Sequence, residues 1–75
     1  MPLQFNLTKF AVALKIWREM HGFSQREVAE MTGLAPGTIS RLESDEFAPD
    51  LASFAKICDL IGFQPNDFFT QIKGE

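Results

Sequence analysis

Apolar positions recur at helical spacing between Gln25 and Leu42, where the chain reads as two short helices hinged at a glycine. Ser24 offers an N-cap oxygen and Glu27 stands three residues on, the capping-box spacing that starts a helix. Val28, Ala29 and Met31 form an apolar stripe that stops at Gly33, a residue able to take positive φ at little cost. Pro36 suits the first turn of a second helix, and Ile39 and Leu42 repeat its inward face three residues apart. A connection of only about three or four residues makes the two helices cross steeply.

The same spacing extends to both sides. Asn6 or Thr8 can cap a first helix running to Met20, with Phe10, Ala13, Leu14 and Trp17 on its buried face. Val12, Ile16 and Met20 form a second stripe off that face, which Leu3 and Phe5 of the short arm 1–6 would cover by folding back, unless it serves a partner. Ser44 to Pro49 is a polar connection, and Asp50 can cap a helix whose inward residues are Leu51, Phe54, Ala55, Cys58 and Ile61 and whose stop is Gly62. Gln64, Pro65 and Asp67 start a last short helix carrying Phe68, Phe69 and Ile72. The pattern predicts an all-α, compact five-helix bundle with no strand, repeat or low-complexity linker.

Seventy-five residues predict a single domain spanning 1–75, too short for a binding module plus an effector domain. Eight Phe and one Trp with no Tyr direct aromatic area into apolar packing rather than a base-stacking surface. A net charge of −3 is the wrong sign for binding polyanions through the overall field, so any affinity for nucleic acid must come from a local basic face and be salt-sensitive. The lone Cys58 cannot close an internal disulfide and reads as a small buried hydrophobe, which fits a cytoplasmic, reducing compartment. His21, at a helix end, lacks partners for a metal site and suits contact with helix carbonyls. Lys9 and Lys15 interrupt the apolar run of the first segment, which predicts neither a signal peptide nor a membrane span. No paired carboxylates, Ser–His or Cys–His set, metal cluster or phosphate-cradling glycine loop appears, so neither an enzyme nor a cofactor is expected.

Gln25, Ala29, Gly33 and Ile39 carry a resemblance to helix-turn-helix DNA-binding proteins of the phage Cro/C1 repressor type, also called XRE-like. Leu14, Trp17 and Arg18 resemble that family's first-helix L-x-x-L-R, Gly22-Phe23-Ser24-Gln25 its G-L-S-Q, and Glu43 with Pro49 its E-x-G-x-x-x-P. The similarity continues through Leu51, Ile57, Ile61 and Gly62 to Phe68.

The resemblance implies that the second and third helices are the helix-turn-helix, with Gln25 and Arg26 beside phosphates and Pro36, Gly37, Thr38, Ser40 and Arg41 toward bases. Gly37, Ser40 and Arg41 also lie three and four apart, opposite Ile39 and Leu42. Pro36 and Gly37 have no side-chain hydrogen-bonding groups and can only permit close approach; Arg41 can grip guanine O6 and N7. Arg18 and Glu43 match a structural ion pair in the family. Two residues depart from the pattern. Asp45 stands where the family has Gly, and with Glu46 it places negative charge in a loop that often approaches the phosphate backbone. Ala35 replaces the Ser or Thr cap of the third helix.

The implied function is a sequence-specific DNA-binding transcriptional regulator, a repressor acting as a homodimer on a palindromic operator in double-stranded DNA. Phe63, Phe69 and Ile72 supply the apolar area for a dimer interface, with Phe68 pointing inward. The alternative is a protein-interaction module on the same fold, of antitoxin or anti-repressor type, favoured by the acidic loop and the net charge.

Overall fold

A computed structural model describes residues 3–46 and 48–71. Strand β1 (Leu3–Phe5) leads into α1 (Leu7–Met20), α2 (Gln25–Thr32), α3 (Pro36–Glu43) and α4 (Leu51–Ile61). A 3₁₀ turn (Pro65–Phe68) and strand β2 (Phe69–Gln71) follow. Among the described residues there are thus four α-helices rather than five.

The predicted fifth helix fails for a local reason. Pro65 opens only one tight turn, and Phe69 leaves it in extended backbone, φ −114° and ψ 135°. The arm then supplies an edge for β2: Leu3 pairs with Gln71, Gln4 with Thr70 and Phe5 with Phe69, antiparallel. The Asn6 N–H donates to the Phe68 carbonyl at 2.6 Å and closes the end of the ribbon. Phe5 stacks edge-on against Phe69 and Phe54, at 5.4 and 5.5 Å between ring centroids. Cross-strand aromatic pairs of this kind are what a three-residue strand needs, because its few ladder bonds are marginal alone.

The core is formed by Phe10 and Leu14 of α1, Val28 and Ala29 of α2, Ile39 and Leu42 of α3, Phe54, Ile57 and Cys58 of α4, and Phe68. Its α1 face is centred on Phe10, Ala11 and Leu14, with Ala13 and Trp17 half-buried. In α2 Thr32, not Met31, completes the inward stripe; its hydroxyl donates to the Val28 carbonyl at 2.9 Å, which removes the cost of burying it. In α4 the inward face is Ser53, Phe54, Ile57 and Cys58, so the expected Leu51 and Ala55 point outward and Leu51 is 83% exposed. Leu51 is the first residue of its helix, where the neighbouring turn that would cover it does not exist. Burial pushes the Cys58 thiol pKa up, consistent with an inert hydrophobe.

The arm does not cover the outer stripe of α1. Phe5 instead packs on Phe10, Phe54 and Phe69, leaving Val12, Ile16 and Met20 exposed. At the far end of α1 the His21 Nδ1–H donates to the Trp17 carbonyl at 2.9 Å, and the rings of Trp17, His21 and Phe23 cluster together, His21 at 4.5 Å from Trp17 and 5.9 Å from Phe23. His21 is a helix-end contact.

Candidate nucleic-acid interface

The geometry of α2 and α3 is set by their ends. Ser24 Oγ accepts from the Glu27 N–H at 3.0 Å while the Ser24 N–H donates to Glu27 Oε1 at 2.7 Å, a complete capping box. This leaves Gln25 and Arg26 on the first turn of α2, beside its exposed N–H groups. Gly33 ends the helix at φ 75°, and the Leu34 N–H returns to the Ala29 carbonyl at 3.0 Å. Only two residues then separate this glycine from Pro36, the first residue of α3. Ala35 caps α3 with backbone alone; no side chain reaches the first-turn N–H groups.

The exposed face of α3 carries Pro36, Gly37, Ser40 and Arg41, with Ile39 and Leu42 buried beneath. Thr38 is half-buried and lies with Arg41 along a shallow cleft whose other wall is Pro49, Asp50 and Ser53. The two carboxylates nearest Arg41 in sequence are engaged elsewhere: Glu43 by Arg18, and Asp45 by the Thr8 hydroxyl at 2.8 Å. The Arg41 and Arg26 guanidinium groups make no hydrogen bond or ion pair among the described residues.

Arg18 and Glu43 join α1 to the end of α3. Arg18 Nε donates to Glu43 Oε2 at 2.7 Å and Nη2 to Oε1 at 2.9 Å, while Nη1 donates to the Phe23 carbonyl at 3.0 Å. The side chains are 14% and 4% exposed. Donating to the Glu43 carboxylate raises the Arg18 pKa, which keeps the guanidinium charged. Gln25, expected beside phosphates, has its side-chain N–H donating to the same Glu43 Oε1 at 3.1 Å. The carboxylate therefore ties α1, α2 and α3 at one point.

Sequence reasoning missed Lys15. It lines a cleft with Arg18, Gln25, Ser40, Glu43 and Ser44, so α1 adds an ammonium group beside the start of α2 and the exposed face of α3. Its spacing, three residues before Arg18 on one side of α1, was the available signal. The acidic loop is also fixed: Asp45 takes φ 68°, the left-handed conformation that the family's glycine would adopt, and its carboxylate turns back to Thr8. Phe63 packs on Phe68 with centroids 5.2 Å apart, Phe69 is 39% exposed, and Ile72 lies outside the described residues.

Two helices crossing at a left-handed glycine, the second with a bare polar face, define a helix-turn-helix domain. The helix-turn-helix family profile matches residues 14–68, and the chain belongs to that family. The HTH-type transcriptional regulator PuuR of Escherichia coli K12 is 33% identical over 54 residues, 72% of this chain and 29% of PuuR. The chain thus spans under a third of the length of that curated relative. The crystal structure of the restriction-modification controller protein C.AhdI from Aeromonas hydrophila superposes with a TM-score of 0.71 at 25% identity, covering 84% of this chain and 96% of that one. A chain of the HipA-HipB-O2-O3 complex superposes with a TM-score of 0.67 at 30% identity, covering 81% and 86%. Among the described residues no helix is long and apolar enough to cross a membrane.

Proposed function

We propose that residues 1–75 act as one sequence-specific duplex-DNA-binding unit, a transcriptional repressor working as a homodimer on a palindromic operator. The observation that carries this reading is the unpartnered face of α3: Arg41, Ser40 and Gly37 stand exposed, and the two carboxylates nearest Arg41 in sequence are bonded elsewhere. In this reading α3 enters the major groove, Arg41 takes a guanine edge, and Pro36 and Gly37 permit close approach without reading bases. Thr38 meets a thymine methyl or a phosphate, and Ser40 either strand's polar edge. Arg26 and the first-turn N–H groups of α2 meet phosphate, with Gln25 oriented by Glu43 and Lys15 adding a third anchor. The dimer forms through the C-terminal third, where Phe69 is exposed beside a groove lined by Phe5, Pro49, Leu51 and Phe54.

A second reading, a protein-interaction module of antitoxin or anti-repressor type, is favoured by the exposed acids Asp45 and Glu46. Binding of a random-sequence duplex, followed by fluorescence anisotropy against salt, separates the two. The repressor reading expects affinity that falls linearly in log–log form, with a slope set by the few phosphates that Lys15, Arg26 and neighbours neutralise. No binding even at low salt supports the second.

A further inference from the structure

The outer face of α1 is unusual for a helix on the surface of a small domain. Val12 and Ile16 are each 50% exposed and Met20 is 79% exposed, on the side of the helix opposite Phe10 and Leu14. A helix apolar on both faces is one that is covered on both. Nothing within the described chain covers the second, since the arm packs on the Phe10 and Phe54 side.

The stripe is bounded by one charge at each end. Lys9 precedes it and Glu19 closes it, both exposed and neither held in an ion pair among the described residues. Lys9, Val12, Ile16 and Glu19 follow the three-then-four spacing that makes a straight seam along a helix. The order along that seam is its own complement. When a second α1 is laid antiparallel, with a two-fold axis level with Leu14, Val12 faces Ile16 of the other copy and Lys9 faces its Glu19. Met20 then reaches the level of the other copy's Thr8. We propose that this face is an isologous contact with a second copy of this chain, an antiparallel α1–α1 pairing held by Val12, Ile16 and Met20 and registered by reciprocal Lys9–Glu19 ion pairs.

The reciprocity is what selects a second copy as occupant. In a two-fold contact every residue meets its partner's counterpart twice, so one basic and one acidic end satisfy each other only in the antiparallel register. The parallel register would set Lys9 against Lys9 and Glu19 against Glu19, and is excluded by like charge. The face is small beside the roughly 800 Å² per partner of a standard stable interface, so the pairing is weak alone. Lys15 is not part of the seam; it stands on the flank of α1 toward α3, where it lines the cleft with Gln25. The inference does not depend on the duplex-binding reading.

Sedimentation equilibrium of the full chain from about 10 µM to about 1 mM tests it, a range suited to weak contacts. Expected is a concentration-dependent step that Ile16→Glu weakens by at least about tenfold while leaving the melting curve unchanged. Lys9→Glu should weaken the same step, and Lys9→Glu/Glu19→Lys should restore it. If the C-terminal surface also pairs, the step appears as dimer to tetramer; if that reading fails, it appears as monomer to dimer. Either way Ile16 controls it. A wild-type chain with no step sensitive to Ile16, or a charge swap that fails to restore what Lys9→Glu removes, overturns the proposal. In the first case the stripe belongs to some other partner.

Discussion

Removing either member of the Arg18–Glu43 pair should destabilise the domain more than any exposed charge change, and the two losses should be unequal. Arg18→Ala leaves the Glu43 carboxylate, 4% exposed, with only the Gln25 amide at 3.1 Å. Stranding a buried charge in this way costs about 3–5 kcal/mol. Glu43→Ala strands an arginine that is 14% exposed and keeps its bond to the Phe23 carbonyl, so the cost should fall to about 2–3 kcal/mol. A domain of 75 residues has a total stability of about 4–11 kcal/mol. Arg18→Ala therefore consumes much of it. At about 4–8 °C per kcal/mol, its melting temperature should drop by at least about 12 °C. Glu30→Ala, at an exposed position of α2, should stay within about 0.5 kcal/mol of the wild type. Thermal melts by circular dichroism measure all three. The apolar double replacement Arg18→Met/Glu43→Leu should recover most of the loss, because it removes both charges together. Should both single variants melt with the wild type, or should the double variant lose the sum of the two, the pair does not hold α1 to α3 as described.

Three further outcomes follow from the helix ends. Gly33→Ala should cost about 1–2 kcal/mol wholly through backbone conformation, since φ is 75° and an added Cβ meets nothing within 4 Å; a melting temperature equal to wild type would show that α2 ends otherwise. Ala35→Ser should stabilise by about 1 kcal/mol, seen as a rise of about 4–8 °C, because the residue already has the extended backbone of a cap, φ −74° and ψ 146°, and lacks only the oxygen. Asp50 caps α4, and hydrogen bonds from the Ser53 hydroxyl and then its N–H hold the carboxyl below its ordinary value. A lowered carboxylate pKa adds stability that is complete above the unfolded value of about 3.9 and is lost as pH falls through the folded one, so Asp50→Ala should flatten the acid limb of the stability–pH curve.

Much of the architecture was legible because it rests on local signals of a few residues each. Ser24 with Glu27, Gly33, Pro36, Asp50 and Gly62 mark helix ends by their own chemistry, and each stands where the helix begins or stops. What sequence could not show depends on contacts between distant segments. Leu3–Phe5 and Phe69–Gln71 are too short for a period of two to register, and become strands only because each supplies the other's edge. Hydropathy alone ranks Met31 as the inward residue, while the buried Thr32 is satisfied by backbone carbonyls. Periodicity turns Leu51 inward because it ignores that the first residue of a helix has no preceding turn. At the candidate interface, the expected places of Gln25, Arg26 and Arg41 rest on the family resemblance, whereas the tie from Gln25 to Glu43 and the place of Lys15 beside them need the crossing of three helices.

The central claim, that α3 reads bases while the start of α2 holds phosphate, is tested most directly by contrasting two arginines on a duplex site selected from random sequence. Both side chains are exposed, and neither belongs to the Val28, Ile39 and Leu42 face, so Arg26→Ala and Arg41→Ala should both remain folded. Arg26→Ala should weaken every duplex about equally and lower the salt slope by about one unit. Arg41→Ala should cost about 1–3 kcal/mol on the selected site and relax selection at one base pair of each half-site, a guanine in the wild-type preference. Two folded variants that bind the selected site as tightly and as selectively as the wild type would contradict the groove-reading account and leave the protein-partner reading in its place.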